Sequence, residues 1–204
     1  MNSDDIRLVH LVDDDGAIRR SVGFMLKTSG YEVRTYESGV ELLKSLPAEP
    51  GCVLLDIRMP GMDGLQVQAE LANRGVSLPV VIMTGHGDVT LAVQAMKAGA
   101  VDFIEKPFGK AVLLEAIDHS FDRLRRATES RDRADSAVTK LNGLTARERE
   151  VLEGLAKGLP NKTIAFDLGI SPRTVEIHRA NLMTKLGVRS LSEALRIIFT
   201  AQQR

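Results

Sequence analysis

The 204-residue chain has room for one large domain or two small ones, and its 27 basic and 27 acidic side chains cancel. Zero net charge excludes a chain-wide field for nucleic acid. A single cysteine excludes a disulfide framework, and no apolar run approaches the roughly 18 residues of a membrane span.

The cancellation is uneven. Residues 144–204 carry 10 basic and 6 acidic side chains, which leaves 17 and 21 for residues 1–143. An acidic front followed by a basic tail predicts two modules with different partners. The start, Met-Asn-Ser-Asp-Asp, has neither the basic nor the apolar region of a signal peptide. With the lone Cys52, this predicts a soluble, cytoplasmic protein with no membrane partner.

Leu8-Val9-His10-Leu11-Val12 reads as a buried strand that runs into Asp13, Asp14 and Asp15. Ile18, Val22, Met25 and Leu26 then recur at helical spacing, and the helix stops before Gly30. Glu32 to Tyr36 is a second strand. A short helix from about Ser38 to Leu46 follows, closed by Pro47 and Pro50. Cys52-Val53-Leu54-Leu55-Asp56 is the third strand, ended by Pro60-Gly61 and Asp63-Gly64. Asp63 caps a helix to about Asn73. Pro79 to Thr84 is a fourth strand, Val89 to Ala98 a fourth helix, and Val101 to Glu105 a fifth strand. A fifth helix begins near Lys110.

Five strands alternating with five helices predict a parallel sheet covered on both faces. The expected fold is α/β doubly wound, with strand order 2-1-3-4-5. In it the carboxyl ends of strands 1, 3, 4 and 5 converge, bringing together Asp13, Asp14, Asp56, Thr84 and Lys106. Clustered carboxylates repel and call for a divalent cation. Oxygen-only ligands suit Mg²⁺. A carboxylate beside Mg²⁺ is a nucleophile for phosphorus, the lysine neutralises phosphoryl oxygens, and the hydroxyl supplies a hydrogen bond.

Val12-Asp13-Asp14, Asp56 to Gly64, Thr84-Gly85-His86 and Phe103 to Phe108 resemble the receiver domain of two-component response regulators. The resemblance covers about residues 5–125. It implies that Asp56 accepts a phosphoryl group from a sensor histidine kinase. It implies Mg²⁺ on Asp13, Asp14, Asp56 and the backbone carbonyl of Arg58. It makes Thr84 and Phe103 a switch pair and sets Lys106 against the phosphate. Arg58 and His86, each two residues past a site residue, are the positions that tune phosphate lifetime in this family.

From Lys110 to Asn142 there is neither glycine nor proline. Leu113, Ala116, Ile117, Ser120 and Leu124 recur at helical spacing. Beyond residue 125 the sequence is polar. Leu124, Ala127, Arg131, Ala134, Val138 and Leu141 nevertheless form a weak heptad seam. Residues 126–142 are therefore read as a helical continuation, with a flexible linker as the alternative. This divides the chain into 1–125, the linker 126–142, and 143–204.

The tail is all-α. Thr145-Ala146-Arg147-Glu148 is a capping box that opens a helix with Val151, Leu152, Leu155 and Ala156 on one face. A short helix carries Ile164, Ala165 and Leu168 and ends at Gly169. Ser171 and Pro172 open a third helix that ends at Gly187. A fourth shows Leu191, Ala194, Leu195 and Ile198. Two short helices joined across a glycine match a helix-turn-helix. Val175, Leu182 and Leu186 lie on one side of the third helix, and Arg173, Glu176, Ile177, Ala180 and Thr184 on the other. Lys162, Arg173 and Lys185 are candidate phosphate contacts, Glu176 a cytosine reader and Ile177 a thymine-methyl contact.

Leu144 to Leu152, Asn161 to Ala165 and Ser171 to Arg179 resemble the LuxR/NarL-type DNA-binding domain. That resemblance assigns nucleic-acid contacts to Arg173, Thr174, Glu176, Ile177 and Ala180. Some members carry lysine where Glu176 and Ala180 stand, so the half-site preference does not transfer. Together the modules resemble the FixJ/NarL class of transcription regulators. Residues 85–108 are most similar to the nitrogen-fixation type within it, whose kinases are oxygen-sensing haem proteins. The resemblance implies a non-enzymatic regulator that dimerises on phosphorylation, binds double-stranded promoter DNA and works with RNA polymerase as an activator. A Mg²⁺-dependent phosphoryl-transfer enzyme and a phosphorelay intermediate are the competing readings.

Overall fold

Short apolar runs become strands buried on both faces only when helices cover both sides of the sheet. In the computed structural model, which describes residues 7–46, 49–85 and 89–202, three strands meet that condition at every position. They are β1 (Leu8–Val12), β3 (Cys52–Asp56) and β4 (Val80–Thr84). The more polar β2 (Glu32–Tyr36) and β5 (Asp102–Glu105) are the edges. All pairings are parallel, in the order β2-β1-β3-β4-β5. The doubly wound sheet predicted from the alternating elements is the observed one.

Alternation along the strands sorts the core into two layers. Val12, Val53, Leu55 and Ile82 pack with α2 (Gly39–Lys44), α3 (Gly64–Asn73) and α4 (Val89–Lys97). Val9, Leu11, Leu54, Val81 and Met83 pack with α1 (Gly16–Lys27) and the first part of α5 (Lys110–Asn142). Gly64 starts α3 where the backbone passes close to β3. A Cβ there would meet the Asp56 carbonyl oxygen at 2.5 Å. No larger residue lets the helix begin so near the strand end.

The chain divides into two compact units, Met1–Arg126 and Ala127–Arg204. The division falls inside α5, which is helical over 33 residues. In the first unit Leu113, Ala116, Ile117 and Ser120 are buried. In the second, Ala134 and Ala137 are buried, and Leu141 packs against that unit's core. The seam expected from Leu124 onward is interrupted, because Ala127 and Arg131 are exposed.

The second unit adds α6 (Ala146–Ala156), α7 (Asn161–Leu168), α8 (Pro172–Leu186) and α9 (Leu191–Ala201). Val151, Leu152, Ile164, Val175, Leu182, Leu186, Ala194 and Ile198 are its core. Gly169, at φ 64°, ends α7 in the left-handed conformation. Ser171 then caps α8 through the Thr174 amide at 3.1 Å. The chain therefore turns between the two helices in three residues. Among the described residues, no helix is long and apolar enough to cross a membrane.

Candidate functional site

Register brings the strand-end side chains together. Val12 pairs with Leu55, so Asp13 and Asp56 are one step further on neighbouring strands. Asp56 pairs with Met83, and Thr84 with Glu105, which puts Thr84 and Lys106 one step beyond. Asp13 and Asp56 are buried, whereas Asp14 is exposed. The Lys106 Nζ donates to Asp13 Oδ2 and to Asp56 Oδ1, both at 2.7 Å. Asp13 Oδ1 accepts from the Asp15 amide at 2.8 Å.

This arrangement polarises the protonation equilibria. Burial pushes the Asp56 carboxyl above its ordinary value, and the hydrogen bond and charge of Lys106 only partly offset this. Asp13 and Asp14 add to the upward shift. Burial opposes the charge on Lys106, but hydrogen bonds to Asp13 and Asp56 outweigh it and raise the ammonium's pKa. The one ammonium is thus shared between Asp13 and Asp56.

One carboxylate oxygen each from Asp13, Asp14 and Asp56 lies within 4.8 Å of the others. This all-oxygen set with one member open to water fits a hard divalent cation such as Mg²⁺, which keeps several of its waters. Arg58 is exposed on the loop after β3. An open groove of about 640 Å³, lined by Asp14, Arg58, Met59 and Leu91 among others, runs along this loop. Thr84 is buried, and its hydroxyl faces the Ile104 carbonyl at 3.4 Å. Phe103 is 44 % exposed, so its ring is turned outward. His86 lies outside the described residues.

In the second unit, α8 turns Val175, Leu182 and Leu186 into the core. Arg173, Glu176, Ile177 and Ala180 are exposed on that helix, as is Lys162 near the start of α7. Ile177 is 53 % exposed, on the side of α8 away from Val175, Leu182 and Leu186. Thr174 is half-buried, and its hydroxyl lies 2.8 Å from Ser171 Oγ, which ties it to the cap.

Lys185 is placed differently from its expected phosphate-facing position. Its Nζ donates to Glu148 Oε2 at 2.8 Å, and Glu148 is buried. The same carboxylate oxygen accepts the Thr145 amide at 2.8 Å, which completes the capping box of α6. Lys185 therefore serves a buried carboxylate within its own unit.

The comparisons with known proteins follow this division. The family model described as response regulator receiver domain matches residues 9–118. The one described as bacterial regulatory proteins, luxR family, matches residues 142–198. The chain belongs to the response regulators.

It is 48 % identical to the transcriptional regulatory protein FixJ of Azorhizobium caulinodans, across 95 % of this chain and 92 % of that protein. Identity to FixJ of Rhizobium meliloti is 45 %, with 93 % of each covered. Identity to the C4-dicarboxylate transport regulatory protein DctR of Rhodobacter capsulatus is 42 %, over 93 % of this chain and 98 % of that protein. Among solved structures, the response regulator StyR is similar with a TM-score of 0.78 at 39 % identity, covering 95 % of this chain and 98 % of that one. Full-length FixJ from B. japonicum gives 0.61 at 42 %, covering 97 % and 98 %. This response regulator thus has a FixJ-like build. Its receiver domain takes its input from a sensor kinase, and its luxR-type domain binds DNA.

Two features of this regulator were not visible to residue-by-residue reading. The Glu148–Lys185 pair joins positions 37 apart, and Glu148 already had a sufficient role in the capping box. Arg19, one turn into α1, reaches back to the Asp13 and Asp14 carbonyls at 2.7 and 2.9 Å and across to Glu37 at 2.6 Å. On sequence it is one of two adjacent arginines, and helical spacing does not tell them apart.

Proposed function

We propose that this response regulator is a phosphorylation-activated transcription regulator whose phosphoacceptor is Asp56. The observation that carries the reading is the buried Asp56 carboxylate at the end of β3, sharing one ammonium with Asp13 beside the exposed Asp14. Asp13, Asp14, Asp56 and the Arg58 carbonyl would hold Mg²⁺, which supplies positive charge to the carboxylates and to the transferring phosphoryl oxygens. An Asp56 oxygen attacks phosphorus, the P–N bond to the kinase's histidine breaks, and its electron pair leaves with the imidazole. Lys106 then pairs with a phosphoryl oxygen. The receiver's own catalysis extends no further than forming and losing this acyl phosphate.

The switch follows from the same atoms. A phosphoryl group offers the Thr84 hydroxyl a stronger acceptor than a carbonyl at 3.4 Å. Thr84 turns toward it, and the outward Phe103 ring takes the space behind. The surface over α4, β5 and the start of α5 changes shape. Val93 and Met96 on α4, 46 % and 38 % exposed, offer apolar area for a homodimer there. Two luxR-type domains held together gain roughly 10²–10⁴ in avidity for paired half-sites.

On the DNA, Ile177, Glu176 and Ala180 face bases, and Lys162, Arg173 and Thr174 meet the backbone. Arg58 and His86 tune phosphate lifetime. The likeness to FixJ supports the reading in which the targets are promoters of nitrogen-fixation or oxygen-responsive genes, at which the dimer recruits RNA polymerase. The test is acid-labile phosphate labelling by a small phosphodonor. The wild-type chain should take up one phosphoryl group and Asp56→Asn none. Labelling that persists in folded Asp56→Asn would refute the assignment.

A further inference from the structure

The acidic loop between β1 and α1 has to present two carboxylates of an Asp13-Asp14-Asp15 run in one direction despite their mutual repulsion. We infer that Arg19 is the positioning residue that sets this loop for the cation, acting through the Asp13 and Asp14 backbone carbonyls. The inference rests on the Mg²⁺ reading of the site given above.

The Arg19 side chain is only 14 % exposed. Its Nη1 donates to both carbonyl oxygens, and its Nη2 to Glu37 just past β2. A guanidinium donates several bonds in a fixed plane, so holding two successive carbonyls fixes the peptide planes on either side of Asp14. That in turn aims the Cβ of Asp13 and of Asp14. Asp15 reinforces the geometry by capping α1 through the Ala17 amide at 2.7 Å.

The choice of acceptor is informative. None of the Arg19 hydrogen bonds goes to an Asp13 or Asp14 carboxylate. Had it paired with those oxygens it would compete with a cation for them. By taking the carbonyls it adds positive charge near the acidic run and leaves the ligand oxygens to face the site. The alternative is that Arg19 only ties α1 to β2 through Glu37. Glu37 is 77 % exposed, and an ion pair in that setting contributes little. Residues that orient metal ligands from behind typically cost roughly 10–100-fold in affinity when removed.

The experiment is calorimetric Mg²⁺ titration of the full chain and of Arg19→Met, Arg19→Lys and Glu37→Gln, below the unfolding midpoint of each. Arg19→Met should bind Mg²⁺ at least about tenfold more weakly. Arg19→Lys keeps the charge but not the fork, and should also bind more weakly. Glu37→Gln should bind as the wild type does. Wild-type affinity in folded Arg19→Met or Arg19→Lys would overturn the inference, and so would an equal loss in Glu37→Gln. Should Arg19→Met not fold, Arg19→Lys and Glu37→Gln decide between the same outcomes. A wild-type chain that takes up no Mg²⁺ overturns the metal reading itself, a result distinct from any of these.

Discussion

Lys185→Met separates two roles that the sequence and the structure give to one side chain. The Glu148 side chain is 4 % exposed and that of Lys185 41 %. Without the ammonium, a carboxylate whose side chain is 4 % exposed loses its cationic partner and keeps its bond from the Thr145 amide. Breaking a fully buried ion pair costs about 3–5 kcal/mol, and an exposed pair is worth about 1 kcal/mol or less. Water reaches this pair from the lysine side, which places the loss between those limits, at about 2 kcal/mol. In a unit of this size that lowers the unfolding midpoint by roughly 8–16 °C. Scanning calorimetry of the full chain, with hydrogen exchange of the α6 and α8 amides to assign the transition, reads it directly. DNA affinity against salt, measured where the variant is folded, should keep the wild-type slope. A phosphate contact would instead leave the midpoint in place and reduce the slope by about 0.9. That pair of results would refute the reasoning.

The same carboxylate gives a pH dependence. The hydrogen bond from Lys185 holds Glu148 below the usual glutamate range. Its folded value lies below its unfolded one, so the stabilisation is present above the unfolded pKa and is lost as pH falls through the folded value. Acid unfolding of the second unit should therefore begin at higher pH in Lys185→Met, and identical acid midpoints would count against the pairing. On the recognition helix, Ile177→Ala should change preference among bases, whereas Lys162→Ala should weaken every site alike and lower the salt slope by about 0.9. Identical binding profiles for these two variants would contradict the face assignment. Sedimentation at equal concentration should show a larger species for the phosphorylated chain, and Met96→Asp should return it to monomer. Monomers in both states would refute dimer-gated activation.

Legibility differed with the range of the interaction. Strand ends were readable because apolar runs stop abruptly at Asp13, Asp56 and Thr84 and Lys106 follows the short β5, and parallel topology then gathers those ends without any knowledge of side chains. Capping residues were equally plain, since Asp63, Thr145 and Ser171 act on amides a few positions away. The Glu148 partner of Lys185 was hidden because charge at the end of a recognition helix looks the same whether it faces phosphate or reaches an interior carboxylate 37 residues earlier. The direction of Phe103 was equally hidden. An aromatic ring in an edge strand suits either side, and nothing in the sequence says that it would be 44 % exposed.

Lys106 also bears on the order of events in a newly made chain. Folding gathers three carboxylates before any ion need have reached them, and repulsion at that moment would favour an open sheet edge. An ammonium 2.7 Å from both Asp13 and Asp56 travels with the polypeptide and arrives as soon as β5 docks. The residue after the last strand to be synthesised thus brings a positive charge to the carboxylates that end the first and third. Replacement of Lys106 by a neutral residue should therefore slow docking of the sheet in metal-free buffer, and plentiful divalent cation should offset the loss.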